Sequence, residues 1–240
     1  LNMSTSTTAG SASLGNALVD IFLAPRALFS ALPTHRRWTW IALGLLVLFQ
    51  MASVYVFFGP MSADWLVEQQ LASADIPANQ MAQAKATMLQ VAPYTAHIGA
   101  AMGVVATVLI SALVALVLFA GERLLVPSRQ SYGQWYAVTI WAQMPMILSA
   151  AGLIVLSLLS ASPDQPLSVA NWASLNELVL GLPIGDAWYA WTEAFSLFFF
   201  WTIALIAIAA RTAQSVAWPR ALLLGSLPYL LSFGIWAIFV

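Results

Sequence analysis

Residues 38–58 read WTWIALGLLVLFQMASVYVFF, twenty-one positions without a charged side chain, with tryptophan at the first and third. Wound as an α-helix at about 1.5 Å per residue, this stretch is roughly 30 Å long, the thickness of the hydrocarbon layer of a bilayer. Four further apolar segments meet the same requirement: Thr95 to Ala120, Trp135 to Leu159, Trp188 to Ala210 and Ala221 to Val240. Trp38, Trp40, Trp135, Tyr136, Trp188, Tyr189 and Trp191 stand at segment starts, where an amphipathic ring rests among lipid headgroups. The composition agrees. Of 240 residues, 61% are hydrophobic and 7% charged, and the mean hydropathy is +0.85, against about 25% charged residues in a soluble domain. With so few charges the outer surface is solvated by lipid, and the expected fold is all-α: an integral membrane bundle of five transmembrane helices.

The arginines set its direction. Arg26, Arg36 and Arg37 precede the first span, Arg123 and Arg129 lie between the second and third, and Arg211 and Arg220 between the fourth and fifth. The opposite side holds Lys85 with the acids Asp64, Glu68, Asp75, Asp164, Glu177 and Asp186. Basic residues are retained in the cytoplasm, so the N-terminus is expected there and the C-terminus outside. Residues 1–15 are Ser/Thr/Gly-rich and are expected to form a disordered tail, with residues 16–240 as one membrane domain. No positive charge precedes an apolar run at the start, so neither a signal nor a transit peptide is expected, and Met3 is a candidate start. Zero cysteines exclude disulfides, thiolate metal sites and a cysteine nucleophile. A formal net charge of −1 supplies no basic field for nucleic acid.

The external segments carry helical composition. Asp64 to Leu71 and Asn79 to Val91 lack glycine and read as short helices separated by Asp75, Ile76 and Pro77. Ser174 and Glu177 have capping-box spacing ahead of a helix that stops at Gly181 and Pro183, and Ser131 and Gln134 repeat the spacing where the third span starts.

Before the first span, Leu18, Ile21, Phe22, Pro25, Leu28, Phe29 and Leu32 recur at three- and four-residue intervals. A helix in this register, interrupted at Pro25, has one apolar face and is too short to span, so it is expected to lie in the cytoplasmic interface. It serves either as an anchor that braces the first span or, through Phe22, Pro25, Leu28, Phe29 and Leu32, as a docking site for a partner or the membrane surface.

The run from Ile21 to Leu32, with proline followed by phenylalanine and leucine at helical spacing, resembles the N-terminal motif of bacterial members of the Yip family, the Ypt/Rab-GTPase-interacting membrane proteins. The resemblance extends over most of the chain: five spans, the turn Ser128 to Tyr132 leading into Ala137 and Pro145, and the closing helix with Pro228 and Tyr229. In eukaryotes the family is implied in membrane traffic with Rab-type GTPases, machinery that bacteria lack. Some bacterial members are encoded beside ABC-type exporters with periplasmic adaptors. The resemblance therefore implies a bacterial inner-membrane protein acting as an accessory subunit of such an exporter.

An internal repeat is also legible. Gln130 and Ser131 precede Gln214 and Ser215 by 84 residues, as Ala137 precedes Ala221, and after a one-residue slip Pro145 precedes Pro228 and Ser149 precedes Ser232 by 83. On this reading the second and third spans repeat as the fourth and fifth, with Pro145 and Pro228 kinking equivalent helices. Gly99 and Gly103 form a small-residue stripe on the second span, for packing within the bundle or for a homodimer seam.

Chemistry finds little support. The two histidines, His35 and His97, fall on opposite sides of the membrane, which excludes a His-based metal site, and no phosphate-cradling glycine loop is present. A serine-type intramembrane hydrolase needs a helix-borne base, and Ser226, after Gly225, has none at matching depth. His97 and Glu193 both fall about one turn from the external face, where they form a candidate polar pair. The expected role is non-enzymatic, with no cofactor: an accessory or scaffolding subunit that binds membrane lipid and another membrane protein, or itself as a homo-oligomer. The alternatives are a small channel or permease and a lipid-organising protein.

Overall fold

The computed structural model describes residues 13–72, 74, 76–125, 130–214 and 216–240. All the regular elements among them are helices. Ser13 starts the first, α1 (Leu14–Leu23), by accepting a hydrogen bond from the Asn16 amide at 3.2 Å. Helix therefore begins inside the tail expected over residues 1–15; residues 1–12 lie outside the described residues. The break expected at Pro25 is there: Ala24 leaves helical geometry and Pro25 opens α2 (Pro25–Ala31), the one helical position where a missing amide costs nothing.

The first span is α3 (Trp38–Phe58), with the bounds read from the sequence. The segment between the first two spans folds into α4 (Ala63–Ala72) and α5 (Met81–Val91), as its composition predicts; Asp75 lies outside the described residues. A single 3₁₀ turn joins α5 to α6 (Thr95–Leu125), which runs five residues past the expected end of the second span.

The third span is not one rod. It divides into α7 (Tyr132–Ala142) and α8 (Met146–Leu159), because Pro145 lacks an amide and the chain turns at Gln143 and Met144. Gln143 supports the turn by donating from Nε2 to the Ser111 hydroxyl at 3.0 Å and to the Thr139 carbonyl at 3.3 Å. The capping box at the start of α7 is complete: the Gln134 amide donates to the Ser131 hydroxyl, and the Ser131 amide donates to Gln134 Oε1.

The fourth span also departs from expectation. Trp188 precedes only a short helix, α9 (Tyr189–Ala194), and the next apolar helix, α10 (Phe198–Gln214), starts ten residues later than the expected span. The cause is a backbone pairing that helix cannot accommodate: the Leu175 amide donates to the Phe195 carbonyl at 2.7 Å, and the Leu197 amide to the Ala173 carbonyl at 2.9 Å. α10 has 17 residues, about 26 Å. α11 (Trp218–Ala237) closes the chain. By length and composition, four helical stretches can cross a membrane, namely α3, α5 with α6, α7 with α8, and α11, and α10 is a shorter apolar helix beside them. The protein is a multi-pass membrane helical bundle.

α3 packs against α6, α7 and α8; α6 packs against α7 and α11; α10 packs against α11, α7 and α2. The core centres on α7, whose Trp135, Ile140, Trp141 and Ala142 are buried against Leu43 and Leu46 of α3, Leu118 of α6 and Leu205 and Ile206 of α10. A smaller apolar cluster at the other end joins Phe57, Met61 and Leu66 to Leu153. There the segments after α3 and after α8 are tied together: Asp164 accepts from the Ser62 amide and hydroxyl at 2.7 and 2.9 Å, and Trp65 donates its indole N–H to the Gln165 carbonyl at 3.0 Å.

The two prolines of the supposed repeat do different things. Pro145 ends one helix and begins another, whereas Pro228 sits inside an uninterrupted α11. Packing decides the difference. Next to Pro228, Gly225 lets the backbones of α11 and α10 approach so closely that a Cβ there would lie 2.7 Å from the Ile203 carbonyl oxygen. Equivalent kinks at Pro145 and Pro228, expected from the repeat, are thus not present.

Candidate functional site

The N-terminal amphipathic segment is the first candidate, and its apolar face is turned inward. Leu28, Phe29 and Leu32 belong to the bundle core with Ile21 and Ala17. Phe22 is half-buried, edge-on to Trp201 of α10 at 5.8 Å between ring centroids, and Pro25 is half-buried at the break. The docking surface expected of these residues is therefore not a free surface. α2 packs chiefly on α10, whereas the anchor expected from the periodicity was to brace the first span.

Gly99 and Gly103 face α3 of the same chain. A Cβ at Gly99 would meet Val54 Cγ1 at 3.4 Å, and one at Gly103 would collide with the carboxamide of Gln50. The stripe is occupied within the bundle, which removes these two glycines from a homodimer seam.

His97 and Glu193 are not partners. His97 is exposed, its Nδ1 3.0 Å from the Tyr55 hydroxyl of α3. Glu193 is buried in a polar cluster beyond the end of α10, where Ser174 donates to its Oε2 at 3.2 Å and also caps the Glu177 amide at 3.0 Å. The pair was expected from matching depth, but depth along a helix says nothing about which neighbour a side chain faces. The helix that Ser174 was expected to start is a single π-helical turn, Asn176–Leu180, closed by Gly181 in the left-handed conformation at φ 62°.

Burial pushes the Glu193 carboxyl above the usual range. Hydrogen bonds from Ser174, Asn171 and Asn176 pull it back in part, and the charge of Glu177 adds to the rise. A carboxyl whose folded-state pKa is raised gives its stability below the unfolded pKa and loses it as pH climbs through the folded value. Glu193→Gln is therefore expected to raise the melting temperature at about pH 8 and to leave it unchanged near about pH 4. Thermal melts of the purified protein at the two pH values check this; an equal gain at both would rule out titration as the cause.

The polar residue that charge counting overlooks is Glu122. Adjacent to Arg123, it reads as an ordinary loop charge, yet it is 0% exposed. Both its oxygens accept from the Gln130 amide at 3.0 Å, and Oε2 accepts from the Trp135 indole N–H at 2.9 Å. It thus ties the end of α6 to the start of α7 at the centre of the core. The signal was in the helical register: Ser111, Ala115, Leu118 and Glu122 follow at intervals of four, three and four, and all are buried.

The architecture agrees with the comparison to known families. The model of the Yip1 domain matches residues 19–239, from α1 through the end of α11. Neither the curated proteins nor the solved structures gave a match. The matched region takes in the buried α2, the Glu122 anchor and all of the apolar helices, and the chain accordingly belongs to the Yip1 domain family.

Proposed function

We propose that the protein is a non-enzymatic accessory or scaffolding subunit that binds another membrane component. The family resemblance points to an ABC-type export complex of the bacterial inner membrane, with the N-terminus cytoplasmic. What supports the reading is the outer face of α6. Its most apolar eighteen-residue window is only 17% buried, against 28% for α3. Met102, Val105, Leu109, Leu113 and Leu116 recur at three- and four-residue spacing along one exposed stripe. A long helix left open by its own bundle has the form of a surface on which a second membrane protein packs.

The test is site-specific photocrosslinking in the native membrane, with the crosslinker at Leu109 or Leu113 and at the buried Leu46 as control. The expected result is a stoichiometric adduct with a second membrane protein, such as an exporter permease, from the α6 positions and none from Leu46. Adducts with lipid alone, or with a second copy of this chain alone, would overturn the proposal.

A further inference from the structure

At the arginine-bearing end of the bundle, the segment around Leu32, the start of α3, the start of α7 and the last turn of α10 enclose a cavity of about 650 Å³. Its wall is amphipathic. Phe29, Leu32 and Trp40 give an apolar side, and Arg36, Thr39 and Gln130 give a polar one. Among the described residues Arg36 is the one charged residue in the lining, and its guanidinium has no hydrogen bond or ion pair there.

Two further groups lack partners. Thr39 is 6% exposed, and its hydroxyl oxygen is buried with no hydrogen-bond partner among the described residues; the same holds for the side-chain nitrogen of Gln130. Both residues line the cavity, and buried polar atoms in native proteins are paired with protein, water or a bound molecule. Gln130 is also held in position, because its amide is fixed by both oxygens of Glu122.

The first turn of α7 completes the wall through Ser131, Gly133 and Gln134. Of the amides at this helix start, the capping box takes those of Ser131 and Gln134 and Glu122 takes that of Gln130, which leaves those of Tyr132 and Gly133 for an anion. Gly133 is exposed in this lining, and a Cβ added there would meet nothing within 4 Å, so a side chain can be introduced at this turn. No carboxylate belongs to the lining. An unpaired cation beside two uncommitted amides on one side, with aromatic and aliphatic carbon on the other, suits an anionic phosphate carried on an apolar stem. Trp40 is exposed at the start of a spanning helix, the level of lipid headgroups, which places the apolar side against the bilayer.

We propose that this cavity binds the headgroup phosphate of an anionic phospholipid, with Arg36 and the start of α7 on the phosphate and an acyl chain passing Phe29, Leu32 and Trp40. The site is separate from the outer face of α6, and either assignment stands without the other.

The test uses the full chain purified in neutral detergent and titrated with phosphatidylglycerol, phosphatidylcholine, glycerol 1-phosphate or inorganic phosphate, with retention read by native mass spectrometry and stabilisation by thermal melts. The expected result is that phosphatidylglycerol is retained and raises the melting temperature while the other three do neither. Arg36→Gln is expected to weaken phosphatidylglycerol binding about tenfold, the loss of a charge-assisted contact, and Arg37→Gln, on the adjacent exposed arginine outside this wall, by less than about twofold. Gly133→Leu, which fills the open turn with a good helix former, is expected to remove binding while the lipid-free melting temperature is kept. Equal binding of phosphatidylcholine, equal stabilisation by the soluble phosphates, or equal losses in the two arginine variants would overturn the proposal.

Discussion

Replacement of Glu122 with alanine is expected to lower stability by about 3 kcal/mol or more, because two hydrogen bonds to a carboxylate are worth about 1.5 to 3 kcal/mol each and both donors are left behind. The loss is severe on the scale of the roughly 5 to 15 kcal/mol that holds a typical domain together. The Trp135 indole is 0% exposed, so water does not replace the lost acceptor. Glu122→Gln keeps one acceptor oxygen and is expected to lose about half as much. The check is the melting temperature and the monodisperse fraction on gel filtration for the two variants beside the wild type. A wild-type melt for the alanine variant would show that the α6 to α7 connection is held by apolar packing alone.

Leu28→Asp is expected to prevent assembly of the bundle. The side chain is buried in the core beneath α10, and the substitution removes a packed leucine and places a carboxylate where nothing neutralises it, together about 3 kcal/mol or more. Phe29→Asp is expected to behave alike, whereas Leu23→Asp, at a position 80% exposed, is expected to insert and melt as the wild type does. The measurement is accumulation in the membrane fraction followed by thermal melts. A Leu28→Asp protein that folds normally and loses only a binding partner would restore the docking role to this segment.

These two substitutions mark where sequence and structure part. The helix bounds of α3, α4 and α5, the break at Pro25 and the capping box at Ser131 were legible because each depends on neighbours within a few residues. The late start of α10 was not, since Phe195 and Leu197 are hydrogen-bonded to Leu175 and Ala173, about twenty residues or more upstream, and Phe195 is held extended. Nor was the separation of His97 from Glu193, each of which takes a partner on another element.

By itself the sequence determined a membrane-embedded helical protein: apolar runs of spanning length leave hydrocarbon as the one solvent that satisfies them, and helix as the backbone form that satisfies its own polar groups there. It determined the amphipathic register before the first span as well. Only the tertiary structure decided which surface that register meets. The periodicity of Leu28, Phe29 and Leu32 requires an apolar neighbour and is satisfied equally by lipid, by a partner or by α10; the packing of α2 on α10 made the choice. The same holds for Glu122, whose carboxyl is accommodated in the core because the turn into α7 brings the Gln130 amide and the Trp135 indole to it.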